Sequence, residues 1–346
     1  MSRVYRGAII GFGNVAAHGH LPGWQAQPDF TIVAVADPDA ARCAEAQRLL
    51  PGIRVYADYE EVLLREPIDF VDIAAPPGRH AAVIEAAARA GVPVLCEKPL
   101  TTSVAEYRRL QSVVHNAGIA LHTVHNWKYS EAFCAVREVL QAGTLGSLWR
   151  ISFETERNGC AATTGDNWRM DPRLGGGGIL VDHGWHTFYL LLAMAQQRPR
   201  RISARLEKRR YPTAEVEDTA HCMIEFPSLK GEIRLTWAAE MRRTRWVLNG
   251  SDGDLVLDED RLRISAAHGS SDRRLNEGLS GSSHHPEWFR GVIDEFRTAL
   301  SSRNRSNLSE AALCVAMLEQ AYASSRCDAQ PLEIGVAEGV SREVAA

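Results

Sequence analysis

VYRGAIIGFGNVA, residues 4–16, decides the fold. VYRGAII reads as a strand, and it runs directly into GFGNVA (11–16), a GxGxxA pattern, after which a helix continues to about residue 26. Each small residue has a physical role in a dinucleotide-binding turn. Gly11 permits the tight turn, Gly13 lets the backbone approach a pyrophosphate, and Ala16 lets the helix pack close to the strand. N–H groups at the helix start then serve the phosphates. Taken alone, these glycines suit a plain strand-to-helix turn as well, so the surrounding sequence has to decide.

It does so by alternation. TIVAVAD (31–37) is a second apolar strand ending in Asp37, 24 residues after Gly13. A carboxylate there accepts both ribose hydroxyls of NAD and repels the 2′-phosphate of NADP. The same aspartate suits the N-cap of the helix at 38–50. Strand-like runs follow at 53–56, 68–76, 92–99 and 119–126, with helical runs at 59–66, 80–91 and 104–118. Continuously apolar strands alternating with helices imply a parallel sheet covered on both faces.

Beyond residue 125 the pattern changes. A helix at 130–143 and a strand at 148–156 precede a glycine-rich loop and helix at 173–195. From about 200 to 266, strands follow one another through short turns, which argues for antiparallel pairing. A polar Gly/Ser-rich loop spans 268–284, either a lid or a disordered stretch, and helices return at 287–301 and 309–325. The expected architecture is an α/β Rossmann domain over 1–124 and an α+β domain over 125–346 with a large open, mainly antiparallel sheet, whose C-terminal segment can pack back on the first domain. The natural site lies in the cleft at the carboxyl ends of the parallel strands.

Composition excludes other classes. The 346 residues suffice for two domains, with 45% hydrophobic and 24% charged residues. A formal net charge of -4 offers no basic face for nucleic acid. The RRTR cluster at 242–245 reads as strand arginines. Seven cysteines without CxxC pairs suggest reduced thiols and a cytoplasmic protein. No signal-peptide layout opens the chain and no window approaches eighteen apolar residues, so neither export nor a membrane partner is expected.

The chemistry concentrates in three segments. AAPPGRH (74–80) ends a strand, its two prolines stop the ladder, and the loop can wall the nicotinamide side of the site. His80 reads equally well as a member of that wall or as part of a plain helical first turn. VLCEKPL (94–100) places Lys98 at the end of an apolar strand between Glu97 and Pro99. An ammonium there can hydrogen-bond a substrate oxygen and stabilise negative charge on it. The alternative is a surface lysine paired with Glu97. GGGGILVDHGWHTFYLL (175–191) begins with a flexible glycine approach and then presents Asp182 and His186 at i and i+4 on one helix face. An aspartate beside an imidazole fixes its tautomer and raises its basicity, as a general base requires. His183 points to packing or substrate contact. A metal reading of Asp182, His183 and His186 lacks a third helix-spaced ligand, so no metal is expected.

Together, GFGNVA, VAVADPD, AAPPGRH, CEKP and NWRMDPRLGGGGILVDHGWH resemble the family of glucose-fructose oxidoreductase and inositol 2-dehydrogenase, Gfo/Idh/MocA, over nearly the whole chain. The resemblance implies a catalytic trio of Lys98, Asp182 and His186. It implies NAD rather than NADP as cofactor, bound by Gly11, Phe12, Gly13, Asn14, Val15, Asp37, Ala75, Pro76, His80, Glu97 and Lys98. It implies substrate contacts from Asn126, Trp168, Arg169 and His183 beside the trio. Lys128 and Ser130 depart from the arginine and proline frequent in the family, which unsettles the local substrate contacts. Trp185 is a further candidate for lining the site.

The implied reaction moves a hydride between nicotinamide and a secondary alcohol or ketone carbon of a sugar, cyclitol or sugar derivative. Lys98 polarises the oxygen, and His186, oriented by Asp182, exchanges the proton. Two other readings use the same residues: an enzyme whose tightly held NAD cycles during epimerisation, elimination or glycoside cleavage, and a non-catalytic sugar sensor. A homodimer or homotetramer through the sheet of residues 200–266 is expected.

Overall fold

The structure is a computed structural model that describes residues 3–161, 167–267, 269–281, 284–302 and 306–335. Its chain divides into two units, Met1–Asn126 with His284–Leu308, and Trp127–Ser283 with Ser309–Ala346.

Six short strands build the sheet of the first unit: β1 (Tyr5–Ile10), β2 (Phe30–Ala36), β3 (Arg54–Tyr56), β4 (Phe70–Ile73), β5 (Val94–Cys96) and β6 (Leu121–Thr123). They lie in the order β3-β2-β1-β4-β5-β6, and every pair is parallel. The order reverses direction at β1 and β4, the switch point beside which such sheets bind ligands. The helices are α1 (Leu21–Gln25), α2 (Ala40–Leu49), α3 (Tyr59–Arg65), α4 (Pro77–Arg89) and α5 (Val104–Ala117). Asp39, Asp58 and Ser103 cap α2, α3 and α5 by accepting from backbone N–H groups in their first turns.

A later segment completes this unit. The apolar residues Trp288, Phe289, Val292, Ile293 and Phe296 of the helix Pro286–Ser302 are all buried. Phe289 and Phe296 join Trp24, Phe30 and Phe70 in one aromatic cluster, with ring centroids 4.8–6.4 Å apart. Gly23 is required for this approach, since a Cβ there would lie 2.6 Å from the Phe289 ring.

The second unit rests on a nine-stranded sheet. Its strands are β7 (Leu148–Asn158), β8 (Arg201–Glu207), β9 (Thr219–Glu225), β10 (Lys230–Thr236), β11 (Ala238–Gly250), β12 (Gly253–Asp258), β13 (Arg261–Ala266), β14 (Gly269–Arg274) and β15 (Leu332–Glu333). Their order is β14-β13-β12-β11-β7-β10-β9-β8-β15, and all neighbours are antiparallel except β10 and β7. The expected Rossmann sheet and large, mainly antiparallel open sheet are both present. FYLLLAMA lies in the helix Trp185–Ala195, which is buried nearly all round.

The polar stretch 268–284 is not an open loop where it is described. Gly269–Arg274 is strand β14, whose uniformly exposed residues carry no apolar alternation that would reveal a strand. Beyond it, Leu275 and Leu279 are buried, Asn276 donates to Glu131, and Ser280 N–H donates to Glu259 Oε2 at 2.9 Å. Residues 268, 282 and 283 lie outside the described residues.

Candidate active site

In the first unit the chain leaves β1 through Gly11 at φ +86°, where a Cβ would lie 2.6 Å from Ala75 N. Glycine is required here by conformation and by packing. Gly13 differs: its φ is not in the left-handed region, and a Cβ would meet nothing within 4 Å. Neither conformation nor packing calls for glycine, and the space is open to a pyrophosphate. The residues present therefore fit a dinucleotide. Asn14 is exposed, Val15 is half-buried, and the buried Ala16 opens a π-helical turn, Ala16–His20, ahead of α1.

Asp37 faces this turn. Its Oδ2 accepts from Phe12 N–H at 2.7 Å and its Oδ1 from Asp39 N–H at 2.9 Å. The N-cap of α2 is Asp39, which accepts from Ala41 N–H at 2.8 Å. Capping thus falls two residues later than the reading that gave it to Asp37, because the Asp37 carboxylate turns back onto the glycine turn. The ring of Phe12 is fully buried.

At the ends of β4 and β5, two loops are tied by one side chain. His80 is fully buried, with Nδ1 2.9 Å from Pro99 O and Nε2 2.9 Å from Ala75 O. Burial lowers its pKa, although both carbonyls favour the charged ring. Ala75 and Pro76 are half-buried, and Pro76 occupies the N-cap of α4. Lys98 is half-buried, precedes a cis peptide to Pro99, and donates its N–H to Glu97 Oε2 at 3.0 Å.

Glu97 is more than a neighbouring acid. Its Oε1 lies 3.0 Å from His20 Nε2, and His20 Nδ1 lies 3.0 Å from both oxygens of the fully buried Asp72. Burial alone would lower the His20 pKa, but the charge of Asp72 and hydrogen bonds to Asp72 and Glu97 overcome it, raising it to about 10. For Glu97, burial pushes upward, but the hydrogen bond and charge of His20 hold its carboxyl below the ordinary value. No sequence spacing links residues 20, 72 and 97. The parallel sheet and the helix after the glycine turn bring them together. Asn126, half-buried, ends this unit's first segment.

In the second unit, the glycine run is tightly packed rather than a flexible approach. A Cβ on Gly177 would fall 2.0 Å from Tyr322 OH, and one on Gly178 would fall 1.8 Å from Glu217 O. Glu217 receives Gly178 N–H at 3.1 Å and Leu180 N–H at 3.0 Å, and Tyr322 OH donates to it at 2.9 Å. Burial raises its pKa despite these donors. Glu217 thereby fastens the start of the segment that carries Asp182 and His186.

That segment is a π-helical turn, Leu180–Gly184, continued by the helix Trp185–Ala195. Five residues, not four, close each hydrogen-bonded turn in such geometry, so simple α-helical spacing does not describe Asp182 and His186. Asp182 Oδ2 lies 3.5 Å from Arg169 Nε and 3.8 Å from His183 Nε2. The Arg169 guanidinium stacks over Trp168 at 4.3 Å. His186 Nδ1 lies 2.7 Å from Tyr189 OH, and the Trp127 ring lies 5.3 Å from the imidazole. Trp185 is fully buried, so it belongs to the core and does not line the site. Trp127 and Tyr189 went unread in the sequence. Tyr189 stands three residues after His186, a spacing that places it on the same face.

A parallel sheet with an open glycine turn and an aspartate at its second strand defines a dinucleotide-binding protein. Comparison with known proteins makes this specific. The model of an oxidoreductase family with NAD-binding Rossmann fold matches residues 5–125, and that of the GFO/IDH/MocA C-terminal domain matches 133–256. The chain belongs to the GFO/IDH/MocA family and is an NAD-dependent oxidoreductase. It is 34% identical to D-apiose dehydrogenase of Paraburkholderia graminis over 153 residues, which span 44% of this chain and 40% of that protein. It is 28% identical over 284 residues to dTDP-3,4-didehydro-2,6-dideoxy-alpha-D-glucose 3-reductase of Streptomyces violaceoruber, covering 79% of this chain and 81% of that one. Its fold matches that of levoglucosan dehydrogenase in complex with NADH and L-sorbose, with a TM-score of 0.83 at 18% identity over 96% of this chain and 100% of that one.

Proposed function

We propose that this oxidoreductase moves a hydride between nicotinamide and a secondary alcohol or ketone carbon of a sugar, cyclitol or sugar derivative. The observation that carries the reading is the Glu217-fastened segment bearing Asp182 and His186, in a family whose relatives include a D-apiose dehydrogenase and a deoxysugar 3-reductase. Gly11, Phe12, Gly13, Asn14, Val15 and Asp37 would hold the dinucleotide, with Ala75, Pro76, Glu97 and Lys98 beside its nicotinamide end and His80 fixing their two loops. NAD supplies the hydride acceptor or donor when bound.

Lys98 hydrogen-bonds the reacting oxygen and stabilises the negative charge that develops on it. His186 takes the hydroxyl proton in oxidation and returns it in reduction. Asp182 orients the His186 ring. Asn126, Trp168, Arg169 and His183 contact the hydroxylated substrate. A homodimer or homotetramer through the sheet of residues 200–266 belongs to the same proposal. All seven cysteines are free, which supports a reducing, cytoplasmic setting. Among the described residues no helix is long and apolar enough to cross a membrane.

The test pairs cofactor binding with turnover. NADH and NADPH are titrated by fluorescence, and the protein is then incubated with NAD and a panel of cyclitols, free sugars, sugar acids and nucleotide sugars. Growth of reduced-nicotinamide absorbance with one class is the expected result. Tight NADH binding with no absorbance change and no altered product by mass spectrometry across the panel would refute the reading.

A further inference from the structure

Asp72 on β4 is fully buried, and it begins a chain of hydrogen bonds that ends at Lys98. Its Oδ2 accepts from Trp24 Nε1 at 2.7 Å, and both its oxygens lie 3.0 Å from His20 Nδ1. His20 is 2% exposed, and Phe289 stacks on its ring at 4.1 Å with planes 19° apart. Its Nε2 lies 3.0 Å from Glu97 Oε1, and Glu97 Oε2 accepts the Lys98 N–H at 3.0 Å. Carboxylates only accept, so a ring set between two of them donates from both nitrogens and is an imidazolium. Charge-assisted bonds of this kind are stronger than neutral ones. One residue further on, the carbonyl of Pro99 lies 2.9 Å from His80 Nδ1. The backbone that carries Lys98 is therefore held on both sides of its Cα.

We propose that His20 is a positioning residue for Lys98, gripping the lysine's backbone through Glu97 while itself anchored by Asp72. His20 closes the π-helical turn that follows the glycine turn, so the loop bearing Lys98 is tied to the segment that would receive the pyrophosphate. Dinucleotide and ammonium are then set by one piece of structure. Without the imidazolium, Glu97 Oε1 loses its donor, the carboxylate is free to turn, and the Lys98 N–H loses a fixed acceptor. His20 itself touches no reacting atom in this role. The proposal rests on the reading of Lys98 as the group that polarises the reacting oxygen.

The test is a double-mutant cycle on the full-length protein, with a substrate found by the panel. His20→Gln should lower kcat by about 10-fold to 10²-fold, as a misplaced reacting group does, with NADH affinity within about twofold of wild type. In Lys98→Ala the same substitution should lower kcat no further, because the ammonium it positions is gone. An equal fall in both backgrounds overturns the proposal, and so does an unchanged kcat in a folded His20→Gln. Where His20→Gln does not fold, Glu97→Ala takes its place in the cycle, with the same outcomes read on kcat. Nitrogen NMR of the wild type labelled with 15N-histidine is a further check. Near pH 8.5, about two units above an ordinary histidine pKa, a ring with both nitrogens protonated should persist, its Nε2 signal shifting in Glu97→Ala. If every ring is neutral there, the proposal is overturned. Wild-type kcat in Lys98→Ala instead overturns the reading of Lys98 on which the proposal stands.

Discussion

His20 Nε2 lies 3.0 Å from Glu97 Oε1, and the opposite oxygen of Glu97 accepts the backbone N–H of Lys98. The residue before the proposed catalytic lysine is therefore half of a buried ion pair, backed on the far side of His20 by Asp72. Removing the cation leaves two carboxylates with little solvent, a loss of about 3–5 kcal/mol. His20→Gln should lower stability by that order in denaturant titrations near pH 6. Because the folded-state pKa of His20 is raised from 6.5 to about 10, its contribution is complete below 6.5 and disappears as pH rises through 10. The difference between wild type and variant should shrink over that interval. A difference that stays constant from pH 6 to pH 10 would show that His20 is neutral in the folded protein.

Lys98→Ala should separate chemistry from binding. Loss of one donor to a developing oxyanion costs roughly 10²–10³-fold in kcat. NADH affinity should stay nearly intact, measured by fluorescence titration alongside turnover. Failure to bind cofactor, with no turnover defect beyond it, would reassign the lysine to the cofactor.

Gly13→Ala makes the converse separation. A Cβ there meets no protein atom within 4 Å, so stability should stay within about 0.5 kcal/mol of wild type. NADH should bind at least about tenfold more weakly, because the methyl group occupies the space left for the pyrophosphate. Thermal unfolding with and without NADH reads both effects. Unaltered affinity would show that the glycine serves something other than the dinucleotide.

Gly178→Ala tests whether the glycine run packs or flexes. With a Cβ 1.8 Å from Glu217 O, the variant must move backbone, at about 1–3 kcal/mol or more. Tm should fall accordingly. A variant as stable as wild type would restore the flexible reading.

The contrast between these glycines marks what the sequence could carry. Alternation of apolar strands with helices, and GFGNVA at the first turn, suffice for a parallel sheet because both depend on local periodicity and on conformations only glycine adopts. The antiparallel sheet was equally legible from strands without helices between them. The close packing at Gly177 and Gly178 was not, since it depends on Glu217 and Tyr322, 39 and 145 residues further along. Trp185 looked like a site residue because aromatic side chains line sugar pockets, yet an aromatic in an apolar helix more often fills a core. His20 and Tyr189 were missed for different reasons. The first acquires meaning only from Asp72 on β4 and Glu97 just past the end of β5, and the second was hidden in an apolar helical run where a tyrosine counts as one more buried ring. β14 escaped because its residues are polar on both faces.

Both π-helical turns, Ala16–His20 and Leu180–Gly184, hold one residue more than an α-helical turn would. Each therefore works as a phase shifter. At 3.6 residues per turn, excising a single residue would rotate everything on one side against the other by roughly 100°. In the first unit that would swing His20 off Glu97; in the second it would carry the start of the segment away from Glu217 or His186 away from Trp127. Composition and hydropathy would hardly change. A homologue one residue shorter in either stretch, however similar in its letters, is thus a natural frameshift of geometry, and its chemistry should be read afresh rather than transferred by alignment.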